Sequence, residues 1–300
     1  MIMTTRALVL GGGGPVGIAW ESGLIAGLAQ GGVDLGKADF IMGTSAGSFV
    51  GARLALGADS ATLADPILAE PPPAPRPEGQ AKPSAPSADL SVLVKMMAEA
   101  QGGVRDPQEV RAEIGAFALG AQTPDEATFI KSFGHSFAGL PDDAWPERGF
   151  ACSAVDALTG EFKLWTKASG IGVTRAVASS CSVPGVYPPV TIDGRRYIDG
   201  GMRSTINADQ AVGHDLVVVI QVRGGATAGA AAEAMAARVE AELDVLRQDG
   251  AKVVLIGPDE GSQAAMGVNL MDFRKRGDAA RAGLAQGLAQ AAGLKAAWAA

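Results

Sequence analysis

The amino-acid sequence predicts an α/β fold, a central and mostly parallel β-sheet flanked by helices. Three observations carry this expectation. Near the N-terminus two short apolar runs each end in glycine, and each is followed by a segment of helical periodicity. A strand, a helix and a second strand joined by short connections pack with their strands parallel. Further on, two β-branched runs at 215–222 and 252–257 are separated by another helical pattern. The chain has 300 residues, 47% of them hydrophobic, enough to bury a substantial core. Its 41 glycines and low aromatic content favour close backbone packing of helices on the sheet.

The elements follow in order. The run RALVL at 6–10 reads as a short buried strand, and residues 17–30 place Ile18, Leu24, Ile25 and Leu28 at near-helical spacing. Residues 38–57 repeat the scheme, with a strand to Met42, a tight turn, and a helix from about Ser45. Eight of the seventeen prolines fall within 66–86. Proline removes ladder donors and fixes φ, so this stretch predicts an insertion at about 66–90 within a single domain spanning 1–300. Helical patterns follow at 91–100, 106–119 and 124–133. The second opens with Asp106 as N-cap and Pro107 at the first helical position. In the first, Leu93, Val94, Met96 and Met97 read as core packing, with a lid or acyl-chain contact as the alternative. Residues 149–165 read as a hairpin, and 195–201 as a short strand ending in a glycine pair. The runs at 215–222 and 252–257 read as central strands, and Met235, Val239, Leu243 and Leu246 mark one helix face between them. An alanine-rich helix at 278–298 carries Leu284, Leu288 and Trp298 on its expected core side.

A formal charge of −7 and a pI near 5.0 argue against nucleic-acid binding, which calls for a basic face. The same balance disfavours electrostatic recruitment to anionic membranes. Two cysteines, Cys152 and Cys181, are too few for a disulfide framework and suit a reducing, cytoplasmic setting. The two histidines, His135 and His214, have no metal-ligand spacing, so no metal is expected. Only four apolar residues separate Arg6 from the glycines, which is short of a signal peptide, and no apolar run approaches a membrane-spanning length.

Two motifs carry chemistry. Gly12-x-Gly14-x-x-Gly17 lies between a strand and a helix and formally matches a dinucleotide-binding loop, with Asp34 near where a ribose-binding acid would fall. Pro15 removes one backbone donor from that cradle. The second motif, Gly43-Thr44-Ser45-Ala46-Gly47, stands between a strand and a helix as a nucleophile elbow. A sharp turn there holds the Ser45 hydroxyl clear of the backbone, and Gly43 and Gly47 leave room for neighbouring chain. The helix that follows aims its positive end at any developing anion. A serine nucleophile needs a base. Neither histidine is signalled for that role, whereas Asp199 ends a strand and is followed by Gly200 and Gly201. Cys181 lacks an elbow and reads as a buried structural thiol, and Ser179, Ser180 and Pro184 read as shaping a turn near the site.

Taken in order, the glycine-rich loop at 11–17, the Gly-Thr-Ser-Ala-Gly at 43–47 and the stretch ASSCSVPGVYPPVTIDGRRYIDGG at 178–201 resemble the patatin-like phospholipase family. The resemblance covers about two-thirds of the chain and is weakest across 58–148. It implies a patatin-like fold and a cofactor-free lipid acyl hydrolase. Ser45 would be the nucleophile, Asp199 the base, and Gly12, Gly13 and Gly14 the oxyanion donors. Its substrate would be a lipid or acyl ester, met at times by transient contact with a membrane surface, with no nucleic-acid partner. The family's loop often carries Arg or Lys just before its last glycine, whereas this chain has Val16 there. That substitution leaves neutral esters open. The alternatives are a nucleotide-binding protein that uses the glycine loop and a catalytically silent lipid-binding module.

Overall fold

The computed structural model describes residues 4–72, 96, 105–134, 136–222 and 230–299. Its strands are β1 (Arg6–Leu10), β2 (Phe40–Gly43), β3 (Gly149–Asp156), β4 (Phe162–Trp165), β5 (Val190–Ile192), β6 (Arg195–Asp199), β7 (Leu216–Ile220) and β8 (Lys252–Ile256). They form one eight-stranded sheet in the order β5-β6-β3-β2-β1-β7-β8, with β4 paired to β3. β3, β2, β1, β7 and β8 run parallel, while β4 and β6 run antiparallel to β3 and β5 antiparallel to β6. The expected mostly parallel sheet is therefore present, and strands from both sides of the proline-rich stretch belong to it.

The helices are α1 (Gly14–Gln30), α2 (Ala46–Ala55), α3 (Asp65–Leu68), α4 (Pro107–Gly120), α5 (Glu126–Ser132), α6 (Val173–Ser180), α7 (Ala230–Gln248), α8 (Glu260–Met266) and α9 (Arg276–Ala299). Both faces of the sheet are covered. Leu8 and Leu10 of β1 point into a cluster with Trp20, Leu24 and Leu28 of α1, Val50 and Leu54 of α2, and Leu294 and Trp298 of α9. Ala7 and Val9 of the same strand point the other way, towards Val239, Leu243 and Leu246 of α7. A strand buried on both faces has no polar side to show, which is why β1 and β7 read as unbroken apolar runs.

The chain starts and stops these helices by ordinary means. Asp106 caps α4 by accepting from the N–H groups of Gln108 and Glu109, with Pro107 at the first turn. Asp125 caps α5 through the Thr128 N–H at 2.9 Å. The hairpin at 149–165 is β3 and β4, paired antiparallel as expected.

Two expectations are corrected. The run at 252–257 is not a central strand. It is the edge strand β8, and Leu255 is 45% exposed. Its β-branched composition serves one covered face and one open side. Of the residues expected on the core side of α9, Trp298 is buried in the core, but Leu288 is 48% exposed. Instead Ala280, Gly283 and Gly287 press against α1, where a Cβ at Gly23 would meet the Ala280 carbonyl and one at Gly27 the Leu284 carbonyl. Two backbones this close exclude large side chains, so the smallest residues mark the interface. The pattern at 91–100 lies outside the described residues except Met96, which packs against the cluster of Val110, Ile114 and Ala118.

Candidate active site

The site forms where β1, β2 and β6 end. Thr44 and Ser45 join β2 to α2 in a turn so tight that Ser45 takes φ 52 and ψ −117. This is left-handed backbone for a residue with a side chain, and such positions cost about 1–3 kcal/mol. The flanking glycines make the turn feasible. A Cβ at Gly43 would strike the Ser48 backbone, and one at Gly47 the Leu10 carbonyl. Ser45 is 6% exposed and anchored at both backbone groups. Its N–H donates to Ser180 Oγ at 3.0 Å, and its carbonyl accepts from Ser48 Oγ at 2.7 Å and from Cys181 Sγ at 3.1 Å.

Asp199 is the last residue of β6, and the sheet register brings it to Ser45. Gly43 lies opposite Cys152 on one side of β3, and Asp199 lies opposite Ala154 on the other. The strand between them thus holds both ends at nearly one level. The Asp199 N–H donates to the Ser182 carbonyl at 3.0 Å, and its Oδ1 accepts from the Gly201 N–H at 2.7 Å. Gly200 has no room for a side chain because a Cβ there would collide with Ser153. The carboxyl is buried, and the Ser45 side chain lies near enough to act on its protonation. Burial pushes its pKa up to about 7, and Ser45 and the Gly201 N–H oppose that rise.

The glycine loop lies against Ser45, since a Cβ at Gly12 would come 3.3 Å from that of Ser45. Its amides are not equivalent. The Gly11 N–H donates to the Ile220 carbonyl at 3.0 Å and the Gly12 N–H to the Thr205 carbonyl at 2.8 Å. The N–H groups of Gly13 and Gly14 find no acceptor among the described residues. Gly14 has φ 58 and opens α1. Val16, at the position where a basic residue was expected from the resemblance, is fully buried, and its N–H donates to the Leu270 carbonyl at 3.1 Å.

The other sequence candidates fall elsewhere. Asp34 is occupied at the far end of α1, where it accepts from the Gly36 N–H at 3.0 Å and Ser60 Oγ at 2.6 Å. His214 stacks on Phe40 and meets the Ala211 carbonyl through Nδ1 at 3.0 Å, and His135 lies outside the described residues. Among the described residues no cluster of His, Cys, Asp or Glu is arranged to hold a metal. No described helix is long and apolar enough to cross a membrane.

The 178–184 stretch does more than turn the chain. Ser180 and Cys181 hold the backbone of Ser45, and Ser182 holds that of Asp199. Burial drives the Cys181 thiol far up, with the Asp199 charge adding to the shift, so the thiol is inert as a nucleophile. Glu21 in α1 is another buried group that composition did not flag. Burial raises its carboxyl well above the usual range. The Gly11 amide stands near enough to oppose this, but its hydrogen is already directed at Ile220, and both carboxyl oxygens lack a full partner among the described residues.

Residues 101–212 match the family model for patatin-like phospholipase. Over that segment the chain is similar to the patatin-like phospholipases. It is 28% identical over 217 residues to the lysophospholipase NTE1 of Phaeosphaeria nodorum, covering 72% of this chain and 12% of that much longer relative. Among solved structures, VipD from Legionella pneumophila aligns over 97% of this chain and 67% of its own, with a TM-score of 0.46 and 14% identity. The type III effector ExoU aligns over 96% and 53%, with a TM-score of 0.36 and 15% identity.

Proposed function

We propose that this chain is a serine hydrolase of the patatin-like type that cleaves carboxylic ester bonds of lipids through an acyl-enzyme on Ser45, with Asp199 as base. The observation that carries the reading is the buried Ser45–Asp199 pair at a strained elbow beside two unengaged amides. In acylation, Ser45 Oγ attacks the ester carbonyl carbon while its proton passes to the Asp199 carboxylate. The carbonyl π electrons move to oxygen, and the Gly13 and Gly14 N–H groups meet the resulting oxyanion with the N-terminus of α2 behind them. Gly12, whose amide is committed to Thr205, serves the loop's shape. Collapse of the intermediate expels the alcohol, which takes the proton back from Asp199. Water then attacks the acyl-Ser45 carbonyl by the same route and releases the fatty acid. An aspartate of ordinary pKa is a weak base for a hydroxyl at neutral pH, and a value near 7 suits the task. Direct contact with the hydroxyl replaces the orientation that a histidine would give.

The buried Val16 and the charge of −7 favour neutral or zwitterionic esters over anionic headgroups. The nucleotide-binding alternative is disfavoured by Asp34, which is spent on a cap. Labelling with a fluorophosphonate, wild type beside Ser45→Ala and Asp199→Asn, tests the proposal. Wild type alone should label. A folded wild type that resists the probe would favour the silent lipid-binding module.

A further inference from the structure

We propose that Asn207 is a positioning residue that holds Ser45 and Asp199 in register, by tying the residue before the nucleophile to the residue after the base. The inference rests on the dyad reading above. Asn207 is fully buried, follows Asp199 by a short 3-10 helix at Gly200–Met202 and four further residues, and sits in left-handed backbone at φ 49 and ψ 42. Asn is among the few side-chain-bearing residues that take that conformation routinely.

Its amide nitrogen reaches Ser204 O at 2.8 Å, Thr44 Oγ1 at 3.0 Å, Ser153 Oγ at 3.3 Å and Gly200 O at 3.4 Å. The orientation of the amide is fixed from its other end. Its Oδ1 accepts from Arg203 Nη1 at 2.8 Å, and Arg203 is itself forked onto Asp209 at 2.9 and 2.6 Å. A guanidinium only donates, so the carbonyl oxygen must face Arg203 and the NH2 must face the site.

The hydroxyls on the inner side then have one consistent arrangement. Ser153 Oγ donates to Thr44 Oγ1 at 3.0 Å and accepts from Asn207, while Thr44 Oγ1 accepts from both and donates to the Ile206 carbonyl at 3.3 Å. Each group is buried and satisfied, so losing the amide leaves acceptors unpaired beside the elbow. The same stretch of chain supplies the Thr205 carbonyl that pins Gly12. Residues 204–207 therefore touch the oxyanion loop, the elbow and the turn after Asp199, without contributing a group to the reacting atoms.

The test uses Asn207→Gly, which keeps the left-handed backbone and deletes the amide, and Asn207→Asp, which keeps the shape and the acceptor for Arg203. Hydrolysis of p-nitrophenyl butyrate, the rate of Ser45 phosphonylation and the melting temperature are compared with wild type and Ser45→Ala. A misplacement of about an ångström at reacting groups can cost about 100-fold. We expect kcat and the phosphonylation rate to fall together by about 10- to 100-fold, with KM within about twofold. A variant that melts within a few degrees of wild type and keeps kcat within about twofold overturns the assignment. Should neither variant fold, Thr44→Val removes the shared acceptor at constant shape. The same kcat loss is then expected, and an unchanged kcat overturns the proposal. If folded wild type itself is not labelled, the dyad reading fails and takes this one with it. Failure of Asn207 alone would leave wild type labelled and Ser45→Ala blank.

Discussion

At Asp199 two physical demands conflict. A base must be charged to accept a proton, yet burial penalises that charge. Burial raises the carboxyl to about 7, so on the proposed mechanism it is protonated and idle below that pH and competent above it. The expected profile of kcat/KM against a soluble ester therefore climbs about tenfold per unit through the acid range and levels off above an apparent pKa near 7. Asp199→Asn should lie at least about 10³-fold below wild type at the plateau, with the ascending limb gone. A wild-type profile that is flat from pH 5 to 8 would exclude Asp199 as the titrating base. Ser180 was read from sequence as shaping a turn and Cys181 as a buried structural thiol, and the clamp they form with Ser182 was invisible there. A serine hydroxyl, a thiol and a carbonyl reach back to two distant backbones, and no local pattern encodes such long-range partners. Asn207 was missed for the same reason.

At the level of elements, the joint between α1 and α9 shows how glycine can mean opposite things on two packed helices. Gly27 stands where a Cβ would meet the Leu284 carbonyl, whereas Gly293 has open space around it. Gly27→Ala should destabilise the protein by about 1–3 kcal/mol because two helix backbones must move apart. Gly293→Ala should stabilise it by about 0.5–1 kcal/mol through helix propensity. Thermal melts of the two variants decide the matter, and equal shifts would refute the close packing. The strand–helix alternation, the hairpin and the cap at Asp106 were legible because each rests on local spacing or chemistry. The edge position of β8 and the glycine face of α9 were not. Both depend on which neighbour happens to be present, and an apolar run looks the same with one sheet partner or two.

At the scale of the whole molecule, the elbow, the glycine loop and Asp199 gather at one end of the sheet, and the chain around them is acidic. A net charge of −7 repels an anionic surface, and salt screens that repulsion. Hydrolysis of vesicles that contain anionic lipid should accelerate as ionic strength rises from about 10 to 150 mM, over which the Debye length shrinks from about 30 to 8 Å. Rates on purely zwitterionic vesicles should stay flat. A fall with salt on the anionic vesicles would instead reveal a basic docking face. The order in which the site's parts leave the ribosome has a further consequence. Ser45 and the glycine loop are made before the groups that hold the serine, which lie more than a hundred residues further on, from Ser180 to Asn207. On the proposed mechanism, a nascent chain thus bears a nucleophile with no base and an elbow with no clamp. On the same reading, an incomplete product released during synthesis would be silent towards any ester.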